Sequence, residues 1–432
     1  MAGVAKEFIS LINVEKKSSR RRKFSMRTFA YTKDSLAQLI TRDDKVTYGI
    51  TTARAEADAI ERVQAKLNSK IQPFSFKIFT KNGRVMCKPS DIETAILTRK
   101  VDKDFSALTK ARVSNRAETI SALRSICSEG LPMTIIRLDI KKFYQSVDPN
   151  KVFDCATNGT RTTYALRRNL KHFLTWSQGN VRGVPTGVSL SSSLVEYYLM
   201  ERLDAKAIAL PGVHFYRRYV DDIIMVCSSR RHSNEYIEGL EAILPSELEF
   251  NSAPDKRDLL ELHTADQDGR FNYLGYNFTI SKKLNSDNSS YRSVRLDIAP
   301  SKITKRKSRF VHSLLQFLKD GNESDLKKRF LLLNSGYTFW DSNRGRQMSA
   351  GLCNTYSEID HPSEALTDLQ NFYRACMLNK KFQLHHRLRL SHLSNRTRSA
   401  IISLDVQKHV QNKNHFNFSP NELQRLSNCW KK

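Results

Sequence analysis

The stretch Phe215-Tyr216-Arg217-Arg218-Tyr219-Val220-Asp221-Asp222-Ile223-Ile224-Met225-Val226 constrains this chain more than any other. Aromatic and β-branched residues on both flanks favour strand, and two adjacent carboxylates interrupt them. Asp tolerates turn geometry, so Asp221-Asp222 is expected at the centre of a tight hairpin turn. Two carboxylates on one tip repel each other unless a cation joins them, and a divalent metal is the obvious partner. A surface Asp-Asp turn is common, so the pair alone is a weak signal. The signal strengthens upstream, where Ile135-Ile136-Arg137-Leu138-Asp139-Ile140-Lys141-Lys142-Phe143-Tyr144 again runs an apolar strand into an aspartate. A strand-end carboxylate beside a carboxylate pair can hold two metal ions ~3.5–4 Å apart, an arrangement that stabilises the attacking and leaving oxygens of a phosphoryl displacement.

Charge points the same way. Lys and Arg number 71 against 44 Asp and Glu, a formal net charge of +27. A surplus of this size fits a polyanionic partner, nucleic acid first. The seven cysteines are scattered with no Cys-x-x-Cys pair, which argues against a zinc knuckle or a disulfide framework and for a reducing compartment. The first residues lack a signal-peptide layout, and no stretch approaches the ~18 apolar residues of a membrane span. The expectation is a cytoplasmic protein without a membrane partner.

These motifs together resemble reverse transcriptases. Tyr219-Val220-Asp221-Asp222 is similar to that family's YxDD box, and Leu138-Asp139-Ile140 to Tyr144 is similar to its first catalytic palm motif. Gly183-Val184-Pro185-Thr186-Gly187 lies between them, as the family's Pro-Gln-Gly segment does, and Tyr273-Leu274-Gly275-Tyr276 follows, as its Leu-Gly hairpin does. Four motifs in order are far more specific than one. They cover roughly residues 90–280. The resemblance implies an α+β right-hand polymerase fold with fingers, a palm built on an antiparallel sheet, a thumb and a helical C-terminal region. The expected division is a basic N-terminal extension over 1–45, fingers over 46–134, palm over 135–280 with a fingers insertion around 150–182, and thumb with the helical region over 281–432.

The resemblance also implies roles. Asp139, Asp221 and Asp222 would hold two Mg²⁺, with Mn²⁺ as a substitute, and the carbonyl of Ile140 is a further candidate ligand. Tyr144, five positions after Asp139, looks like a steric gate against a 2′-hydroxyl. Arg99, Lys100 and Arg116 are similar to fingers residues that contact the incoming triphosphate, and guanidinium and ammonium groups suit phosphate oxygens. Gly187 and its small neighbours would let the backbone approach a base pair. Thr186 stands where most of the family has Gln, so template handling or fidelity is in question there. Lys256, in a segment resembling Leu-Asn-Pro-x-Lys but with altered spacing from Asn251, would protonate the leaving pyrophosphate.

Local signals add structure. Thr51–Leu67, Asp91–Val101, Asn115–Ile126, most of Lys151–Gln178, Leu194–Leu203, Glu235–Ile243, Asp325–Leu333, Glu364–Leu378 and Ser394–Val410 read as helices, with Asp148 as a cap. Phe74–Cys87 alternates as a hairpin about Asn82-Gly83, Phe271–Ile280 reads as one strand, and 281–290 reads as a loop. Pro300 opens an amphipathic helix whose apolar face includes Ile303, Phe310, Leu314 and Phe317. The basic run Lys16–Lys23 could track a nucleic-acid backbone or be a solvated arm.

Asn334–Tyr337 and Gly351–Ile359 are similar to segments of defence-type bacterial reverse transcriptases related to abortive infection. The implied partners are an RNA template or structured non-coding RNA, a DNA primer and product, and deoxynucleoside triphosphates. Self-association is left open. Three alternatives stay open at this point: a retron or mobile-element enzyme, template-independent or protein-primed synthesis, and a polymerase-like fold that only binds RNA.

Overall fold

The computed structural model describes residues 29–431 except 70, 82, 112, 265–266, 285–289 and 342–345. The basic run Lys16–Lys23 and the turn residue Asn82 lie outside the described residues.

The strands in chain order are β1 (Phe76–Lys81), β2 (Arg84–Pro89), β3 (Met133–Asp139), β4 (Val213–Tyr219), β5 (Asp222–Ser228), β6 (Asp258–Leu262), β7 (Gly269–Tyr273), β8 (Tyr276–Leu284), β9 (Ser290–Ile298), β10 (Gly336–Asp341), β11 (Arg346–Gly351) and β12 (His415–Asn417). They form four sheets: β1-β2, β4-β5-β3-β6, β7-β8-β9 and β11-β10-β12. The central sheet is antiparallel throughout.

Strand alternation explains why this central sheet lies between two layers. Ile136, Leu138 and Ile140 on β3 and its extension, with Ile223, Met225 and Cys227 on β5, face a first core shared with Leu97, Phe173, Trp176 and Leu194 from the helices behind. Met133, Ile135, Ile224 and Val226 face a second core with Phe271, Tyr276, Phe310 and Leu366. That second face turns from apolar to charged along β3, because Arg137 and Asp139 continue the row begun by Met133 and Ile135. A third core joins the helices Lys33–Ala37, Ala53–Asn68 and Ile92–Thr109 through Leu36, Ile60, Val63 and Ile96.

Helix starts follow their caps. Thr52, Asp91, Asn115 and Asp148 each accept a bond from a backbone N–H in the first turn of the helix they precede. The helix after Asp91 runs on to Thr109 rather than stopping near Val101. The helix expected over Leu194–Leu203 begins earlier, at Ser189, and passes into a π-helical turn over Met200–Asp204.

Three other expectations are corrected. Phe271–Ile280 is two strands, because Leu274 (φ +47°) and Gly275 (φ +81°) reverse the chain between β7 and β8. The stretch 281–290 is not wholly a loop, since β8 extends to Leu284 and β9 starts at Ser290. Ser394–Val410 is two helices, Asn395–Ser403 and Val406–Gln411, because Asp405 caps the second. All seven cysteines are buried and unpaired, and no described helix is long and apolar enough to cross a membrane.

Candidate active site

The β4–β5 hairpin places the carboxylates. Tyr219 and Asp222 pair directly, so Val220 and Asp221 form the two-residue loop and Asp222 opens β5. The turn therefore sits one residue earlier than an Asp-Asp centre. Val220 adopts φ +61° while Asp221 does not share the positive φ, the pattern of a type II′ turn in which Gly is usual. A β-branched residue there is strained, and strain of this kind persists only where its surroundings impose it.

Those surroundings are charged and buried. On β4, Arg218 is 2% exposed. It meets Glu196 at 2.9 and 3.0 Å and Asp204 at 2.8 and 2.9 Å, and it donates to the Val220 carbonyl at 3.0 Å. Two carboxylates and a carbonyl thus satisfy one buried guanidinium and pin the hairpin to the helix behind it. The Asp221 carbonyl accepts from Ile140 N–H at 2.9 Å, joining the tip to the end of β3.

Asp139 lies opposite Asp222 across β3 and β5. One carboxylate oxygen from each of Asp139, Asp221 and Asp222 falls within 4.8 Å of the others. Burial, and then the negative charges of Asp139 and Asp222, push the Asp221 carboxyl above its usual range, while Lys256 pulls it back. Lys256 Nζ lies 3.3 Å from one Asp139 oxygen and Asn251 Nδ2 3.2 Å from the other. Arg137 spans Asp222 and Asp258, at 3.0 Å to each. Burial would lower the Arg137 pKa, but these two carboxylates outweigh it and raise it. Three converging carboxylates, one pushed toward its neutral form by burial and by the other two, are a donor set suited to divalent cations with oxygen preference.

The other expected residues fall in different places. Ile140 is buried on the first-core face, and its pairing with Phe250 uses the Asp139 carbonyl and the Lys141 N–H rather than its own carbonyl. Tyr144 follows on a short helix, packs edge-on against Phe143 at 5.0 Å, and has its hydroxyl pKa raised by burial. Its carbonyl accepts from Val184 N–H at 2.9 Å, and Gly183 packs so close that a Cβ would lie 2.2 Å from that same oxygen. The Thr186 carbonyl accepts from Cys87 N–H at 2.8 Å, and Gly187 lies against Met86 and Cys87. The Gly183–Gly187 segment therefore bridges the Tyr144 turn to the β1–β2 hairpin.

Arg99, Lys100 and Arg116 serve internal contacts. Arg99 binds both oxygens of Asp44, at 2.6 and 2.7 Å, and the Leu39 carbonyl. Lys100 is 2% exposed and pairs with Asp104 at 2.7 Å. Arg116 donates to the carbonyls of Leu274 and Thr355 and lies between the rings of Tyr276 and Tyr356. A role toward a triphosphate would require these contacts to open.

Sequence reasoning passed over Arg137 and the contact of Asn251 with Asp139. The signal for Arg137 was present: a lone cation inside an apolar strand, two positions before Asp139 and so on the same face.

Comparison with known proteins finds a family likeness over this part of the chain. Residues 85–278 match the family described as reverse transcriptase (RNA-dependent DNA polymerase), and this span contains β3 to β7, all of β2 but its first residue, the three carboxylates and the Gly183–Gly187 segment. The match makes this span similar to the catalytic domain of RNA-dependent DNA polymerases, and it covers somewhat less than half of the chain. Among solved structures the chain is similar to apo telomerase from Candida tropicalis truncated from the C-terminal domain, at 14% identity and a TM-score of 0.33. That likeness covers 48% of this chain and 53% of the other, so the chain spans about half the length of that structure. No curated protein matches the chain in sequence.

Proposed function

We propose that the protein is an RNA-directed DNA polymerase that adds deoxynucleotides to a primer 3′-hydroxyl with two divalent cations, Mg²⁺ or Mn²⁺. The observation that carries this reading is the convergence of Asp139, Asp221 and Asp222 within 4.8 Å inside the span that is similar to reverse transcriptases. These three side chains would hold the metals, with the Ile140 carbonyl as a further candidate. Bound there, divalent ions lower the pKa of the attacking hydroxyl and neutralise charge on the triphosphate.

The chain's own residues do the rest. Asn251 and Lys256 orient the Asp139 carboxylate, and Arg137 holds Asp222 at 3.0 Å, so Asp222 has less freedom to turn toward a ligand. Lys256, 39% exposed, can leave Asp139 and deliver a proton from Nζ to the departing pyrophosphate. Tyr144 excludes a 2′-hydroxyl, and the backbone at Thr186-Gly187 lies beside the nascent pair. Arg99, Lys100 and Arg116 are not assigned to the triphosphate, because each is committed to an internal partner. The resemblance of Asn334–Tyr337 and Gly351–Ile359 to defence-type enzymes supports a setting in bacterial antiphage defence with a structured non-coding RNA.

The test is incorporation of labelled deoxynucleotides by the full chain on an RNA template with Mg²⁺ or Mn²⁺. The variant carrying Asp221→Ala and Asp222→Ala should lose synthesis by at least about a thousandfold while keeping its RNA affinity. Synthesis retained in that variant would refute the mechanism.

A further inference from the structure

Between Asp368 and Asp405 the chain has no Asp or Glu, yet it carries seven Lys and Arg. Two of these donate to backbone carbonyls: Arg374, itself exposed, to Ile402 at 3.1 Å, and the half-buried Arg398 to Leu388 at 3.1 Å. The other five, Lys380, Lys381, Arg387, Arg389 and Arg396, are exposed, and among the described residues none pairs with a carboxylate. Glu323 reaches this segment but is taken up by Ser394 (2.6 Å), by Thr397 and by Lys327 (2.9 Å).

The segment is held in shape from behind. The helix Gln383–Arg389 buries Leu388 and His385, whose Nδ1 lies 2.7 Å from the Met377 carbonyl, and Leu393 and Thr397 are buried beyond it. It packs against Glu364–Leu378, which in turn packs against Pro300–Asp320, so it forms an outer layer well outside the matched domain. The same segment carries three exposed apolar side chains, Leu378 (56% exposed), Phe382 (40%) and Leu390 (88%).

Five cations close together along the chain, none paired with a carboxylate among the described residues, leave a positive surplus that a polyanion would neutralise. A strand of nucleic acid supplies phosphates at regular spacing and base faces for Phe382 and Leu390. An anionic membrane fits less well. The apolar side of the short helix is turned inward, and the exposed apolar groups stand singly rather than as one amphipathic face. We infer that the segment from Leu378 to Arg396 is a docking surface for single-stranded RNA outside the polymerase cleft. The inference rests on the polymerase reading only for the presence of RNA near the chain.

The experiment is fluorescence anisotropy of a labelled, unstructured RNA with the full-length protein across a salt series, comparing wild type with the variant carrying Lys380→Ala, Lys381→Ala, Arg387→Ala, Arg389→Ala and Arg396→Ala. Each phosphate contact on a single strand contributes about 0.7 to the slope of log affinity against log salt, so the slope should fall by about 3 and affinity at low salt by at least about tenfold. All five side chains are exposed, so folding should survive. The Lys380→Ala, Lys381→Ala pair should show the same change on a smaller scale. Incorporation on a short primer–template should be unaltered in both variants. An unchanged RNA slope overturns the inference, as does loss of binding only to phosphatidylglycerol vesicles run in parallel. Wild-type protein that binds RNA through this surface but incorporates no nucleotide would instead refute the polymerase reading and leave the surface standing.

Discussion

The β4–β5 and β7–β8 hairpins both end in two-residue loops with a positive φ, yet their tips are built to opposite ends. At β7–β8 the backbone is locked. Arg116 takes the Leu274 carbonyl, Ala299 N–H donates to the Gly275 carbonyl at 2.9 Å, and the Tyr276 and Tyr356 rings flank the guanidinium at 5.1 and 5.2 Å. At β4–β5 the backbone is fixed from below by Arg218, but the carboxylates at the top meet one another and two cations, Lys256 at 3.3 Å and Arg137 at 3.0 Å. One tip holds a shape; the other holds charge that an incoming ligand can claim.

Breaking the locked tip should cost the most stability. Arg116→Ala removes two charge-assisted bonds to backbone carbonyls and two ring contacts, for about 3 kcal/mol. Thermal unfolding should fall by several degrees. At the charged tip, Lys256→Ala should leave that midpoint nearly unchanged and lower the turnover rate instead. Equal thermal losses at both tips would erase the contrast.

A pH series sharpens it. The Asp221 carboxyl is raised by burial and by Asp139 and Asp222, so its contribution to stability is fully present below the unfolded value of about 4 and is lost as pH rises through the folded value. In EDTA, Asp221→Asn should therefore be more heat-stable than wild type near neutral pH, with the gap closing below about pH 4. No gap at neutral pH would mean that neither burial nor the neighbouring carboxylates oppose the charge on Asp221. The smallest effect concerns the strained residue. Val220→Gly should be more stable than Val220→Ala by about 1 kcal/mol in urea unfolding, the reverse of the ordinary order, because only Gly takes φ +61° freely.

Much of the site was legible because its residues announce their own chemistry. An apolar strand ending in Asp139, and a second strand pair meeting at Asp221-Asp222, left few ways for the carboxylates to be arranged except together. The register of the tip was not legible. Turn propensity favours Asp at both central positions, but pairing of Tyr219 with Asp222 leaves the β-branched Val220 in the position that propensity argues against. At β7–β8 the alternation alone read as one strand, since Leu274 keeps the apolar pattern while its backbone turns; the likeness of Leu274-Gly275 to a hairpin carried the reversal that the pattern missed. The basic residues show the limit of reading charge alone. Lys100 has Asp104 one helical turn away, and Arg99 finds Asp44 from a distant helix, so tertiary pairing decides which cations remain for a ligand. In the C-terminal segment the same reasoning runs the other way, because among the described residues no carboxylate pairs with its five exposed cations.

The central claim is that Asp139, Asp221 and Asp222 form one divalent-metal site beside a nucleotide. Electron paramagnetic resonance of Mn²⁺ titrated into the full-length protein with a non-hydrolysable deoxynucleotide analogue tests it most directly. About two bound Mn²⁺ per chain are predicted for wild type, with loss of both in the variant carrying Asp139→Asn and Asp221→Asn. Undiminished Mn²⁺ binding in that variant would contradict the account.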